Sequence, residues 1–415
     1  MGPQRFVAEE GHSDCHLIWE SDQLPLDRSK VQLLPEPEEP GMMTVVDVDA
    51  PGYDKIISRP INSQKGERSW RGFALVVFLA LIVVSYPTIE SILFGPLIPT
   101  SEWAFEDTGI RDLQNQGLDG TGVHICMVDT GIDLSHPALS DVKFAGFLDL
   151  VGDDPEGPPV EYGVDHHGTM MAGILFSNGA FKGISTGSTL SVAAALGPSG
   201  FSVKDGAVGE AVEWCWRTQG ADIISLSLGG EADPTMAIGG PTVTSVEDAL
   251  EAGVFVVAAS GNQGENSSDV STPSSIERVI AVGAIDRAGI VWKDTSKGAD
   301  YLDGEIRIDP HKKPEVSAPG KDVISTNDPS LSIPYASSSG TSVSTVFVVG
   351  SLGLILEKNS EIIELYEQTN GSSAKIDLIK QSLRQSMIGN EHDLRTGYGN
   401  LDALSWERNI RQSLS

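Results

Sequence analysis

The chain has 415 residues, 40% of them hydrophobic, and a formal net charge of -30 from 28 basic and 58 acidic side chains. That length and apolar share allow a large buried core, while the acidic balance excludes a nucleic-acid binder, which needs basic patches against phosphate. The charge fits either adaptation to salt, where screening relieves self-repulsion, or an ordinary acidic surface.

The three cysteines, Cys15, Cys126 and Cys215, are odd in number and scattered, so no disulfide framework is expected. His12, Cys15 and His16 supply too few ligands within a Pro/Glu-rich stretch, and no metal site is expected there.

Taken in chain order, residues 1–70 are polar and carry the run from Pro35 to Pro40, which favours extended backbone and cannot build a core. They read as a disordered cytoplasmic tail. Residues 71–98 read as a single transmembrane signal anchor. The charge-free run from Gly72 to Tyr86 falls short of the roughly 20 residues that cross a bilayer, so the span continues past Pro87 with Glu90 near the far interface. Lys65, Arg68 and Arg71 precede the span and Glu102, Glu106 and Asp107 follow it, which places the N-terminus in the cytoplasm and the rest outside the cell membrane.

Residues 101–415 form the remaining domain. Segments 122–128, 189–194, 222–228, 254–259 and 279–283, rich in Val, Ile and Ala, read as buried strands. Segments 168–177, 203–219 and 243–252 read as helices between them. The alternation implies an α/β fold with a mainly parallel β-sheet flanked by helices, and in such folds function sits at strand ends.

Four short motifs fall at such ends. Asp129-Thr130-Gly131 closes the first strand with a carboxylate before a glycine turn. His167-Gly168-Thr169 opens a helix, and Ser342 in Gly340-Thr341-Ser342 opens another, where the helix dipole and the serine's own N–H favour developing negative charge. Ser260-Gly261-Asn262 follows a buried strand and delivers an amide that can donate to an oxyanion. Serine is a weak nucleophile, a histidine near its ordinary pKa can take its proton, and a carboxylate can hold the imidazole in the useful tautomer.

These motifs, in the order Asp, His, Ser, resemble the subtilase family. Supporting stretches include His136-Pro137, Ser225-Leu226-Ser227-Leu228-Gly229-Gly230, Ala318-Pro319-Gly320 and Gly397-Tyr398-Gly399. The resemblance implies a three-layer subtilisin-like fold preceded here by the transmembrane helix, and a serine endopeptidase acting on polypeptide substrates. It assigns Asp129 as orienter, His167 as general base and acid, Ser342 as nucleophile and Asn262 as oxyanion donor, with neighbouring His166 left as a loop residue. Ser227, Leu228 and Gly229, with Ala259 and Gly261, are the substrate-binding candidates, because members of the family bind substrate backbone as an added strand.

No cofactor is implied. Members of the family often bind structural calcium, but no spaced acidic loop locates a site here. Departures from the family pattern are Met170 in place of a second histidine and Val343-Ser344 after the nucleophile. Only a few residues separate the expected span from Trp103, where the family usually carries an inhibitory prodomain. A decoy, Gly183-Ile184-Ser185-Thr186-Gly187, matches the esterase nucleophile elbow, yet a strand follows it rather than precedes it, so it reads as a surface turn. The alternative function is a binding or scaffold protein that keeps the fold without turnover. Oligomeric state is left open by the sequence.

Overall fold

In a computed structural model, residues 31–33, 45–47 and 101–414 are described, except 203, 205, 230–239, 388 and 390. The chain divides into two units, Met1–Gly95 and Pro96–Ser415. In the first, Val31–Leu33 pairs antiparallel with Val45–Asp47. The rest of the expected tail, including Cys15, and the expected span at 71–98 lie outside the described residues.

The second unit opens with two short helices, α1 (Glu102–Asp107) and α2 (Ile110–Asn115). Seven strands then build one sheet: β1 (His124–Asp129), β2 (Lys143–Asp149), β3 (Thr189–Ala194), β4 (Ile223–Leu226), β5 (Phe255–Ala259), β6 (Ile280–Ile285) and β7 (Val316–Pro319). Their order across the sheet is β7-β6-β5-β4-β1-β3-β2, and every neighbouring pair is parallel. Strands β4, β5 and β6 are buried throughout, as a sheet covered on both faces requires. Edge strand β2 was not expected; its half-exposed residues lack the continuous apolar run that marked the others.

Helices α3 (His167–Phe176), α4 (Ala207–Glu213) and α5 (Pro241–Glu251) confirm the expected alternation, and α4 runs on into a π-turn at Trp214–Thr218. The longest helix, α6 (Thr341–Asn370), is followed by α7 (Ser372–Gln385) and α8 (Ala403–Leu414). A small antiparallel pair, β8 (Val323–Thr326) and β9 (Tyr335–Ser338), precedes α6.

Successive side chains of a strand point to opposite faces, and β1 shows both layers. Ile125 faces α6, where a side chain on Gly353 would stand 3.7 Å from it, whereas Cys126 faces the other way and is bonded to Cys215 in the π-turn. This disulfide corrects the expectation of unpaired cysteines. The pairing bridges 89 residues of sequence, so spacing gave no hint of it.

The first half of α6 is buried on all sides, which identifies it as a core helix. Among the described residues it alone is long and apolar enough to cross a membrane, and 83% of its most apolar window is buried in the protein. Close packing there also settles the decoy motif: Ser185 is fully buried and donates its hydroxyl to the Gly350 carbonyl at 2.9 Å. The turn is thus interior rather than on the surface, and its hydroxyl faces protein instead of solvent. Elsewhere in the core, Lys313 and Lys380 both contact the Glu315 carboxylate, at 2.9 and 2.6 Å, with all three side chains almost fully buried.

Candidate active site

Because all seven strands are parallel, their carboxyl ends share one edge. At the end of β1, Asp129 is 1% exposed, and its Oδ1 accepts from the Thr130 backbone N–H at 2.7 Å. The same oxygen lies 2.7 Å from Nδ1 of His167, the first residue of α3. An ionised carboxylate can only accept, so Nδ1 carries the proton and Nε2 is left to act as a base.

His166 sits in the left-handed region at φ 56° and its Nε2 lies 3.8 Å from an Asp328 oxygen. It therefore turns to a different carboxylate from the one its neighbour meets.

Burial pulls the His167 imidazolium down, but Asp129 at contact distance, with Asp165 and Glu161 further off, more than offsets it, and the pKa is pushed up to about 9. The value is higher than the ordinary or modestly shifted histidine expected from sequence, because the charges of Asp165 and Glu161 add to that of Asp129.

Ser342 is the second residue of α6, so its backbone N–H belongs to the first turn, where amides have no partner inside the helix. Its hydroxyl donates to the Ser227 carbonyl at 2.9 Å, and the Ser227 hydroxyl donates back to the Ser342 carbonyl at 3.2 Å. The serine in this structure thus rests on the strand end beside it, and its hydroxyl is held there instead of on His167.

Asn262 reaches the same helix start: its Oδ1 accepts from both the N–H and the hydroxyl of Thr341, at 3.0 and 2.9 Å. Only an oxygen can face a backbone N–H, so the contact fixes the amide's orientation and turns its NH2 away from Thr341. Thr341 is the residue sequence reasoning missed; its place directly before Ser342 was the available signal.

A cleft of about 360 Å³ runs along this edge and is lined by His167, Ser342 and Asn262 together. Ser227, Leu228 and Gly229 line it together with Ala259 and Gly261, which stand at and just after the end of the neighbouring strand β5. All the candidate residues therefore meet at one place, with Asp129 buried behind His167. The cleft also takes in Leu196, Pro198 and Gly200 from the loop after β3, which carried no motif in the sequence. The wall is narrow. A side chain on Gly229 would come 2.7 Å from Ser271 Cβ, and one on Gly261 would come 2.2 Å from Ser271 Oγ. Among the described residues no group of three or more His, Cys, Asp or Glu is placed to hold a metal ion.

Chemically the arrangement offers a hydroxyl, a base with an oriented proton, and an amide donor facing one cleft, which suits acyl transfer. The Subtilase family, peptidase S8, matches residues 120–400 of the chain. Serine protease AprX of Bacillus subtilis (strain 168) is 32% identical over 272 residues, 60% of this chain and 60% of that protein. Subtilisin DY of Bacillus licheniformis is 32% identical over 251 residues, 59% of this chain and 81% of its own. The chain thus spans somewhat under two thirds of AprX. The solved structure of the prenylagaramide maturation protease PagA aligns with a TM-score of 0.53 at 23% identity, over 73% of this chain and 98% of that one, a likeness of fold alone.

Proposed function

The chain belongs to the subtilase family, the S8 peptidases, and on that premise we propose that it is a serine endopeptidase using Asp129, His167 and Ser342, with Asn262 as oxyanion donor. The observation that carries the reading is the 2.7 Å contact between Asp129 and His167 on the wall of the cleft that Ser342 also lines.

A peptide entering along Ser227 to Gly229 displaces the Ser342 hydroxyl from the Ser227 carbonyl, and a rotation about χ1 brings Oγ to His167 Nε2. Oγ attacks the scissile carbonyl carbon while its proton passes to Nε2. The new negative charge falls on the carbonyl oxygen, where the Ser342 N–H and the Asn262 NH2 donate to it. Collapse expels the amine, which takes the proton from Nε2, and leaves an acyl-enzyme. Water, deprotonated by the same nitrogen, then releases the acid. Asp129 stays ionised throughout and holds the imidazole.

The reading extends to location: residues 71–98 anchor the chain and the peptidase domain faces outward. Two features support it, the sign change of charge across the span and the Cys126–Cys215 disulfide, which persists in oxidising compartments. Protease added to intact cells should cut the peptidase domain and spare the tail; protection of the domain sinks the orientation. For the activity, the full chain should hydrolyse an unfolded protein substrate and Ser342→Ala should not. A binding or scaffold role is favoured by one observation, the Ser342 hydroxyl resting on Ser227, and no hydrolysis by either chain would decide for it, whereas equal hydrolysis by both would remove Ser342 as the nucleophile.

A further inference from the structure

Resting on the catalytic reading above, we propose that Glu161 is a positioning residue that ties the strand end bearing Asp129 to the helix start bearing His167. The segment 160–162 runs antiparallel beside 130–132, with Ile132 N–H donating to the Val160 carbonyl and Tyr162 N–H to the Thr130 carbonyl, at 3.1 and 2.9 Å. From there the Glu161 carboxylate reaches both elements at once. Its Oε1 accepts from the Thr130 hydroxyl at 2.6 Å and the Gly163 N–H at 2.8 Å. Its Oε2 accepts from the N–H and the hydroxyl of Thr169 at 2.7 and 2.8 Å.

The two threonines are what make this a clamp. Thr130 follows Asp129 directly, and its hydroxyl oxygen accepts from the Gly168 N–H at 3.0 Å, next to His167. Thr169 lies in the first turn of α3, and its hydroxyl oxygen accepts from the Asp133 N–H at 2.9 Å, in the chain just after β1. One carboxylate thus collects four donors and cross-links the two elements twice.

The helix also needs such a partner. His166 at its N-cap makes no side-chain capping bond, so the Thr169 N–H would be left to water, and Glu161 caps it from outside the helix while placing a negative charge at the positive end of the dipole. The charged groups that act on the His167 ring are Asp129 from β1, in contact with it, and Asp165 and Glu161 from the segment before α3. Beyond them, His166 pairs with Asp328 from the loop after β8. Glu161 therefore acts on His167 in two ways, through geometry and through charge.

The test compares Glu161→Gln and Glu161→Asp in the full chain, with active sites counted by an organophosphonate probe and the labelled residue identified by mass spectrometry. Glu161→Gln keeps the size, removes the charge and turns one acceptor into a donor facing donors. It should lower kcat per titrated site by about 10- to 100-fold, the scale of a small misplacement, leave KM nearly unchanged, and move the acidic limb of kcat/KM to lower pH. Glu161→Asp keeps the charge but is one methylene too short to hold both threonines, so it should lower kcat with the limb at the wild-type pH. A purely structural Glu161 would lower thermal stability with kcat per titrated site and the limb unmoved, which overturns the inference. Should Glu161→Gln fail to fold, wild-type kcat in Glu161→Asp overturns it as well. Absence of label on wild-type Ser342 overturns the catalytic reading and this inference with it; label on Ser342 with unmoved kinetics overturns this inference alone.

Discussion

The carbonyl oxygen of Gly131 occupies the place where a side chain on Gly168 would begin, 2.0 Å from the position of that missing Cβ. Gly131 in turn sits at φ 115° with the Val160 carbonyl 1.9 Å from where its own Cβ would stand. The glycines of Asp129-Thr130-Gly131 and His167-Gly168-Thr169 are therefore one packing feature: they let the end of β1 and the start of α3 touch through backbone, which brings Asp129 and His167 to 2.7 Å.

From this contact the effect of Gly168→Ala follows. The obstructing atom is backbone and cannot swing aside, so α3 must shift. We expect a loss of about 1–3 kcal/mol in stability, the usual range for overpacking, and a fall in kcat of about 10²-fold from the displaced imidazole. Thermal unfolding and titrated kcat check both; wild-type kcat in a folded variant would show that the contact does not set the histidine's position.

The pH dependence has a definite sign. In the proposed mechanism His167 must be neutral to accept the Ser342 proton, and its pKa is pushed up to about 9, so kcat/KM should climb through the alkaline range and reach half-height near 9. For stability the raised value works the other way. The ion pair with Asp129 contributes fully below the ordinary histidine pKa of about 6.5 and is lost as pH rises through about 9. A rate profile already flat below pH 7 would contradict the carboxylate environment described for the ring.

Much of this was legible in the sequence, and the reasons are local. Strands buried on both faces announce themselves as unbroken apolar runs, so β3, with Thr189 to Ala194, matches its expected bounds. The motifs mark strand ends and helix starts because turns and caps constrain residue type over a few positions. What depended on distant partners was hidden. Cys126 and Cys215 meet only because α4 folds over β1, Ser185 is buried only because Gly350 and Gly353 let α6 approach, and Glu161 stands in a loop whose composition says nothing of Thr130 or Thr169. The raised pKa of His167 likewise comes from carboxylates gathered by the fold.

Asn262 offers a sharper test of chemistry against structure. Its Oδ1 is held by Thr341 and its NH2 is left for the cleft, so if Asn262 is the proposed oxyanion donor its bond strengthens only as the substrate oxygen gains charge. Asn262→Ala should lower kcat by about 10² to 10³ with KM little changed, the scale of an oxyanion donor in subtilisin itself. Because Asn262 also holds Thr341, a fall in melting temperature with kcat per titrated site intact would assign it to the turn alone.

The Cys126–Cys215 bond closes a loop of 89 residues between β1 and the π-turn that ends α4. Cross-linking that much chain restricts the unfolded state by roughly 4–5 kcal/mol in the chain-entropy account. Cys126→Ala with Cys215→Ala should lower the denaturant midpoint accordingly, and free-thiol titration of the unfolded wild-type chain should find one reactive thiol, that of Cys15, before reduction. Three reactive thiols would remove both the bond and its support for an extracytoplasmic domain.

The most direct measurement is covalent labelling of the full chain by an organophosphonate serine-hydrolase probe, followed by peptide mapping. The account predicts one labelled residue, Ser342, with labelling lost in Ser342→Ala and strongly slowed in His167→Ala, since Oγ becomes a nucleophile only when Nε2 takes its proton. Label on a different serine, or undiminished labelling after His167→Ala, would contradict the assignment of Asp129, His167 and Ser342 as the acting groups.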